Sequence, residues 1–246
     1  MKKTILAVSL AALTLPAFAQ TAPEPDFTIE GNFGLFSDYR FRGISQTDLK
    51  PALQGGFDLT HKSGFYAGTW ASSISEYTSV DGAGMEIDFY AGYTFEVGGI
   101  GVDIGNLYYY YPGTSPDPGF PKANTNEIYL GLSYGPLSLK TSYSTSDYFG
   151  IADSDGTLYY DLSTEFPLGN DVTLTAHVGY VDIKNGVTGT DYKIGVAKDF
   201  AGFTFGLDYI ANNGNWKTEN TGVEISPGTF KDLGKNGVVL SVSKSF

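Results

Sequence analysis

The segment Val238-Val239-Leu240-Ser241-Val242-Ser243-Lys244-Ser245-Phe246 decides how the rest of the chain is read. Counting back in twos from Phe246 gives Lys244, Val242, Leu240 and Val238; the other set is Ser245, Ser243, Ser241 and Val239. Successive side chains of a strand point to opposite faces, so this is a strand with one apolar and one small polar face. Lys244 interrupts the apolar set, but its stem can lie along an apolar wall while its ammonium reaches water at the edge. Such a strand suits the surface of a soluble β protein or the wall of a membrane barrel. The remaining segments separate the two.

The chain starts Met1-Lys2-Lys3, runs apolar from Ile5 to Leu15 and reaches Ala17-Phe18-Ala19. Charge, apolar core and an Ala-x-Ala site read as a secretory signal peptide over residues 1–19, followed by a short lead, 20–26. The apolar run is shorter than the about 20 residues a spanning helix needs. The mature chain is then 246 − 19 = 227 residues, and removing Lys2 and Lys3 takes the net charge from −12 to −14. No later run is long and apolar enough for a membrane helix, so an integral protein would have to be a closed barrel. Cysteine is absent, while 32 Gly, 18 Tyr and 17 Phe favour strands, tight turns and aromatic belts. The acidic balance argues against nucleic acid as a partner, since that requires basic patches.

From Phe27 onward one unit repeats: an alternating segment, then a Gly, Pro, Asn or Asp break. The segments are Phe27 to Phe41, Leu53 to His61, Phe65 to Ile74, Met85 to Glu96, Ile100 to Tyr111, Thr125 to Tyr134, Leu137 to Tyr148, Thr157 to Phe166, Asp171 to Ile183, Thr190 to Phe200, Phe203 to Ala211 and the terminal strand. The fourth is the clearest, with Met85, Ile87, Phe89, Ala91, Tyr93 and Phe95 alternating with Glu86, Asp88, Tyr90, Gly92, Thr94 and Glu96. Breaks after even-numbered segments are short and the others are mostly longer. That asymmetry and the even count predict an all-β fold over 27–246: an antiparallel, transmembrane, up-and-down β-barrel with short periplasmic turns, longer outer loops and both termini periplasmic. Twelve strands are expected, or fourteen if Gly222 to Asp232 hides a further hairpin. Phe27, Phe95, Tyr134, Phe166, Phe200, Phe203 and Phe246 then gather at one rim. Tyr39, Phe41, Tyr108, Tyr110, Tyr143, Tyr180, Tyr192 and Tyr209 gather at the other. A bilayer selects such paired girdles, whereas a soluble sandwich has no reason to sort aromatics to both ends of one face.

The run Gly31-Asn32-Phe33-Gly34-Leu35-Phe36-Ser37-Asp38-Tyr39-Arg40-Phe41-Arg42-Gly43-Ile44-Ser45-Gln46-Thr47, followed by Pro51-Ala52-Leu53-Gln54-Gly55-Gly56-Phe57-Asp58, resembles the opening of the TorF family of porins. Tyr108-Tyr109-Tyr110-Tyr111-Pro112-Gly113 and Asn126-Glu127-Ile128-Tyr129-Leu130-Gly131 resemble that family's later motifs. The resemblance implies an outer-membrane pore embedded in lipid and brings no catalytic residues. A terminal strand ending in Phe246 also resembles the signal read by the barrel-assembly machinery.

The expected lumen-facing set is Glu30, Asp38, Asp58, Glu86, Asp88, Asp103, Glu127, Asp161, Glu165, Asp191 and Asp208, with Arg40, Arg42, Lys140 and Lys193 against them and His177 nearby. So many charges cannot face lipid, where a midplane Lys or Arg costs about 2–4 kcal/mol. An acid-rich lumen concentrates cations, which points to a channel for small hydrophilic solutes or ions with a modest cation preference. The alternatives are a substrate-specific uptake channel and a closed structural or ligand-binding barrel whose acids pair with Arg and Lys. Arg40 and Arg42 either orient an anionic group or pair with Asp38 and Asp58. Three outer breaks, Arg42–Ala52, Pro112–Asn124 and Asn212–Lys235, could fold inward, and Trp216 in the last is the candidate contact for a sugar or aromatic solute. An enzyme is not expected. His61 lies beside a periplasmic turn, His177 has no Ser-His signature around it, Asp153-x-Asp155-Gly156 lacks the later Glu of a calcium loop, and no zinc or phosphate motif occurs. No cofactor is implied.

Overall fold

The structure, a computed structural model, describes residues 25–75, 83–113, 122–214 and 232–246. The predicted signal peptide, Trp216 and nearly all of the suggested extra hairpin lie outside those residues. Among the described residues, twelve antiparallel strands close into one barrel. They are β1 (Phe27–Phe36), β4 (Ala52–His61), β5 (Phe65–Ser73), β6 (Met85–Val97), β7 (Ile100–Tyr110), β8 (Thr125–Tyr134), β9 (Leu137–Ser144), β10 (Leu158–Gly169), β11 (Val172–Asp182), β12 (Thr188–Phe200), β13 (Phe203–Asn212) and β14 (Gly237–Ser245). Two short strands, β2 (Arg40–Phe41) and β3 (Ile44–Ser45), form a separate hairpin. The ring is closed with twelve strands, so the fourteen-stranded alternative is not what forms.

Consecutive barrel strands pair with one another, and β1 closes the ring on β14 in the register Asn32↔Ser245 to Phe36↔Ser241. Flanking that register, Gly31 and Phe246 exchange two backbone hydrogen bonds of 2.9 Å, and the Ser37 amide donates to the Leu240 carbonyl at 2.8 Å. Local chemistry sets the tight turns. Gly98-Gly99, Asn170-Asp171 and Ala201-Gly202 place two successive residues at positive φ, the conformation that matches the right-handed twist of the flanking strands. Pro167, expected in the β10–β11 turn, stays in β10 beside a register shift between Pro167 and Gly169, and the turn falls on Asn170-Asp171. A bulge accommodates a residue that has no amide to donate.

Alternation sorts the two faces as predicted. On β12, Tyr192 and Ile194 are 44% and 56% exposed, whereas Asp191 beside them is 4% exposed. Leucine, isoleucine, valine and phenylalanine cover the outside of the ring. Water would not tolerate so large an apolar surface, but hydrocarbon matches it, and ring closure leaves no unpaired edge for lipid to meet. Phe27, Phe95, Tyr134, Phe166, Phe200, Phe203 and Phe246 are exposed toward the end with the tight turns, and Tyr108, Tyr110, Tyr143, Tyr180, Tyr192 and Tyr209 toward the other. Lys244 lies with its ammonium 5.2 Å from the centre of the Phe203 ring, so its stem follows the outer wall. Tyr39 and Phe41 do not join the outer girdle. Both pack inside the barrel, because the chain leaves the wall after Phe36.

Tyrosines and glycines interlock on the inner wall of β5 and β6. Register pairs Tyr66 with Gly92 and Gly68 with Tyr90. A Cβ on Gly68 would sit 2.5 Å from Tyr90 Cζ, and one on Gly92 would sit 2.5 Å from Tyr66 Cζ and 2.7 Å from the Ile104 carbonyl oxygen. The ring can move but the backbone oxygen cannot. We expect Gly92→Ala to destabilise the barrel by about 1–3 kcal/mol, the usual effect of overpacking. Denaturant unfolding from detergent micelles measures this, and an unchanged midpoint would refute it.

Candidate functional site

The mouth at the loop end is filled by residues 37–51. This strap leaves β1 at Ser37, turns at Arg42 (φ 48) and Gly43 (φ 78) between β2 and β3, and rejoins the wall at β4. The sequence carried that turn in Arg42-Gly43 between Phe41 and Ile44, the two-residue form that favours positive φ. Reading 27–41 as one strand put Asp38 and Arg40 on the wall, with the lumen-facing Arg42 opening the break beyond it; all three are on the strap. The Arg42–Ala52 break thus folds inward, and of the three outer breaks named above it is the one whose full course is described.

Arg42 latches the strap to the far side of the ring. Its Nη1 and Nη2 donate to Glu127 Oε1 and Oε2 at 3.0 and 2.8 Å, and Nη1 donates to the Tyr148 hydroxyl at 2.9 Å. Its guanidinium carbon lies 4.1 Å from the Tyr159 ring centre and 4.8 Å from that of Phe41. Glu127 is on β8, five strands round the ring from β1. The pair is buried, with 6% and 2% side-chain exposure. The Tyr109 hydroxyl adds a bond of 3.2 Å to Glu127. Asp38 anchors the strap from within, accepting from Ser45 Oγ at 2.6 Å and Thr47 Oγ1 at 3.0 Å and pairing with Arg40 Nε. Arg40 Nη1 also donates to the Gly43 and Lys235 carbonyls, at 3.1 and 2.9 Å. Gly43 fits because it lacks a side chain: a Cβ there would sit 2.7 Å from both Asp191 Cβ and Asn212 Nδ2.

Aromatic residues complete the seal. Tyr39, Tyr109 and Tyr111 are buried with Ile74 and Ala123, and Phe41, Trp70, Leu107 and Phe149 pack against them. Tyr148, Tyr159, Val181 and Ile183 form a second cluster with Ile44, Phe149 and Ile151. The Tyr39 and Tyr111 hydroxyls donate to the two oxygens of Glu86 at 2.9 and 3.0 Å. Burial, with Glu86 and Asp88 adding their charge, pushes the Tyr39 hydroxyl well above its ordinary value, so it stays a donor. The sequence puts Tyr39 and Phe41 in the outer girdle and assigns none of the other rings to the interior, although alternation along β7 places Tyr109 opposite the outward Tyr108 and Tyr110.

Below the strap the sequence-predicted charges line the inner face in local partnerships. Tyr90 donates to Asp58 at 2.5 Å, so Asp58 is not the partner of Arg42. Tyr66 donates to Asp103 at 2.7 Å and also contacts the Tyr129 hydroxyl. The Lys140 ammonium lies 3.9 Å from the Tyr129 ring centre. His177 lies between Asp161, 3.1 Å from Nδ1, and Asp191, 2.6 Å from Nε2. Ser163 is 3.4 Å from Nδ1 with its hydroxyl engaged by Asp161, so neither ring nitrogen is left to take a proton from it. Glu30 and Glu165, toward the turn end, are exposed, and Lys193 and Asp208 are half-buried on neighbouring strands. His61, at the turn, bonds Ser63 at 2.7 Å. Asp155 pairs with Lys184 at 3.1 Å in a solvated loop. Among the described residues no three His, Cys, Asp or Glu side chains converge as metal ligands.

No curated protein matches the sequence. Among the solved structures that share the fold are two of one porin. The KdgM porin superposes with a TM-score of 0.51 at 7% identity, covering 89% of this chain and 97% of that one. The KdgM porin in complex with disordered oligogalacturonate superposes with a TM-score of 0.51 at 8% identity, covering 89% and 98%. At such low identity the likeness concerns architecture: a barrel of the same extent. A family model covers residues 19–246, nearly the whole length, and the chain therefore belongs to the Gcw_chp family, described as bacterial proteins of unknown function.

Proposed function

We propose that this chain is an outer-membrane channel for passive diffusion of small hydrophilic solutes or ions, with a modest cation preference. One observation carries the reading: a closed ring of strands with an apolar outside and an inside studded with ionisable side chains. The secretory signal over residues 1–19, periplasmic termini and the resemblance to TorF porins fit the same placement. The KdgM porin has been seen with oligogalacturonate, a polyanion. A polyanion needs a track of free cations, and here Arg40 and Arg42 are both engaged by carboxylates. The remaining inward acids outnumber Lys140 and Lys193, which favours cations over anions.

Planar-bilayer recording of purified, folded protein tests this. Discrete current steps are expected, with a reversal potential in a salt gradient displaced toward that of the cation and shrinking as ionic strength rises. A reversal potential on the anion side would remove the selectivity. The strap's burial favours a second reading, a closed barrel. Absence of any current steps would establish it and remove the channel.

A further inference from the structure

The acids at the mouth are unequally satisfied. Glu86 accepts from Tyr39 and Tyr111, and Glu127 accepts from Arg42 and Tyr109. Asp88, two residues from Glu86 on the same face of β6, is 8% exposed, and its Oδ1 has no hydrogen-bond partner among the described residues. A buried carboxylate oxygen left unpaired is strongly unfavourable, and Arg42, the guanidinium of this cluster, is committed to Glu127. Register sets Asp88 between Trp70 of β5 and Tyr109 of β7. Cross-strand partners hold their Cβ atoms about 4.5–5.5 Å apart on one face, so the carboxylate has an indole and a phenol ring on either side. A buried carboxylate beside aromatic side chains is chemistry that receives a cation: the acid supplies the charge, and a ring face turned to the ion adds its negative quadrupole. Glu86 and Glu127 deepen the field. No three acids converge there as metal ligands among the described residues, which suits single rather than double charge.

We propose that Asp88, Trp70 and Tyr109 form a binding site for a small monovalent cation beneath the strap. The site stands on the geometry of the mouth whether or not the lumen conducts, so its test measures binding. Thallium(I) serves as the probe, because it substitutes for potassium and quenches a nearby indole. The full mature chain carrying Trp216→Phe, which leaves Trp70 as its sole tryptophan, is folded in detergent micelles at pH 8 in N-methylglucamine acetate and titrated with thallium(I) acetate. Trp70 emission should fall along a saturable curve that potassium acetate reverses. Asp88→Asn should leave only the linear collisional component, and Asp103→Asn, altered elsewhere on the inner wall, should keep the saturable one. Should the Asn variant not fold by circular dichroism, Asp88→Ser takes its place, and potassium competition on the parent chain already decides whether a site exists. Purely linear quenching in the parent, as expected if Asp88 simply holds a proton, overturns the proposal. So does saturable quenching that survives loss of the Asp88 carboxylate.

Discussion

Replacing Arg42 with alanine is expected to enlarge the unit conductance and make openings more frequent. The substitution removes a buried bidentate guanidinium and leaves Glu127 desolvated beside Tyr109 with no counter-charge. Breaking such a pair from one side typically costs about 3–5 kcal/mol, far more than an exposed ion pair contributes. Applied to the equilibrium between a seated and a released strap, that shifts the released population by roughly two to four orders of magnitude. The cost falls on the strap more than on the ring, because Arg42 lies in a loop while the ring is held by its own ladders. Urea unfolding of the barrel should therefore move less than the conductance does. Adding Glu127→Gln to Arg42→Ala should recover part of the lost closure, since the orphaned charge goes with it, and the double-mutant cycle should be non-additive. An Arg42→Ala channel indistinguishable from the unsubstituted protein would show that the strap does not control the mouth.

The wall was legible and the mouth was not, for one physical reason. Period-two alternation survives wherever one face meets hydrocarbon and the other meets a polar interior, so segments such as 85–97 and 125–134 declare themselves locally. The strap obeys no such rule. Asp38-Tyr39-Arg40-Phe41-Arg42 alternates as well as any strand, and its alternation serves a different end: Asp38 and Arg40 satisfy each other within the loop, while Tyr39 and Phe41 enter the aromatic seal. Those pairings are long-range. Arg42 meets Glu127, 85 residues on, and Tyr39 meets Glu86, 47 residues on. Strand parity placed Glu86, Asp88 and Glu127 on the inner face but left open which acid would receive a donor. That depends on the inward fold of residues 37–51, for which the positive-φ pair Arg42-Gly43 was the local sign.

Removing Phe246 is expected to lower the amount of barrel in the outer membrane severely, with a much smaller effect on the stability of barrels that do form. In the ring, Phe246 contributes two backbone hydrogen bonds to Gly31 and a side chain whose centre lies 6.4 Å from that of Phe33. Two such bonds stabilise by about 1–3 kcal/mol together, a modest loss beside the seam register from Asn32 to Phe36 that remains. The ring itself is 68% exposed on the outer face at the closing seam, and we propose it as an element that an assembly factor recognises. Packing and presentation can be separated. A Cβ on Gly31 would lie 2.7 Å from Phe246 Cε2, so Gly31→Leu displaces the ring from its seat while keeping an aromatic terminus. If the terminus acts as a recognition element, deleting Phe246 depletes the outer-membrane fraction of cells while refolding into liposomes proceeds to a similar yield, and Gly31→Leu shows the reverse. If the residue acts only as a seam contact, the two variants behave alike in both assays and the assembly role is lost.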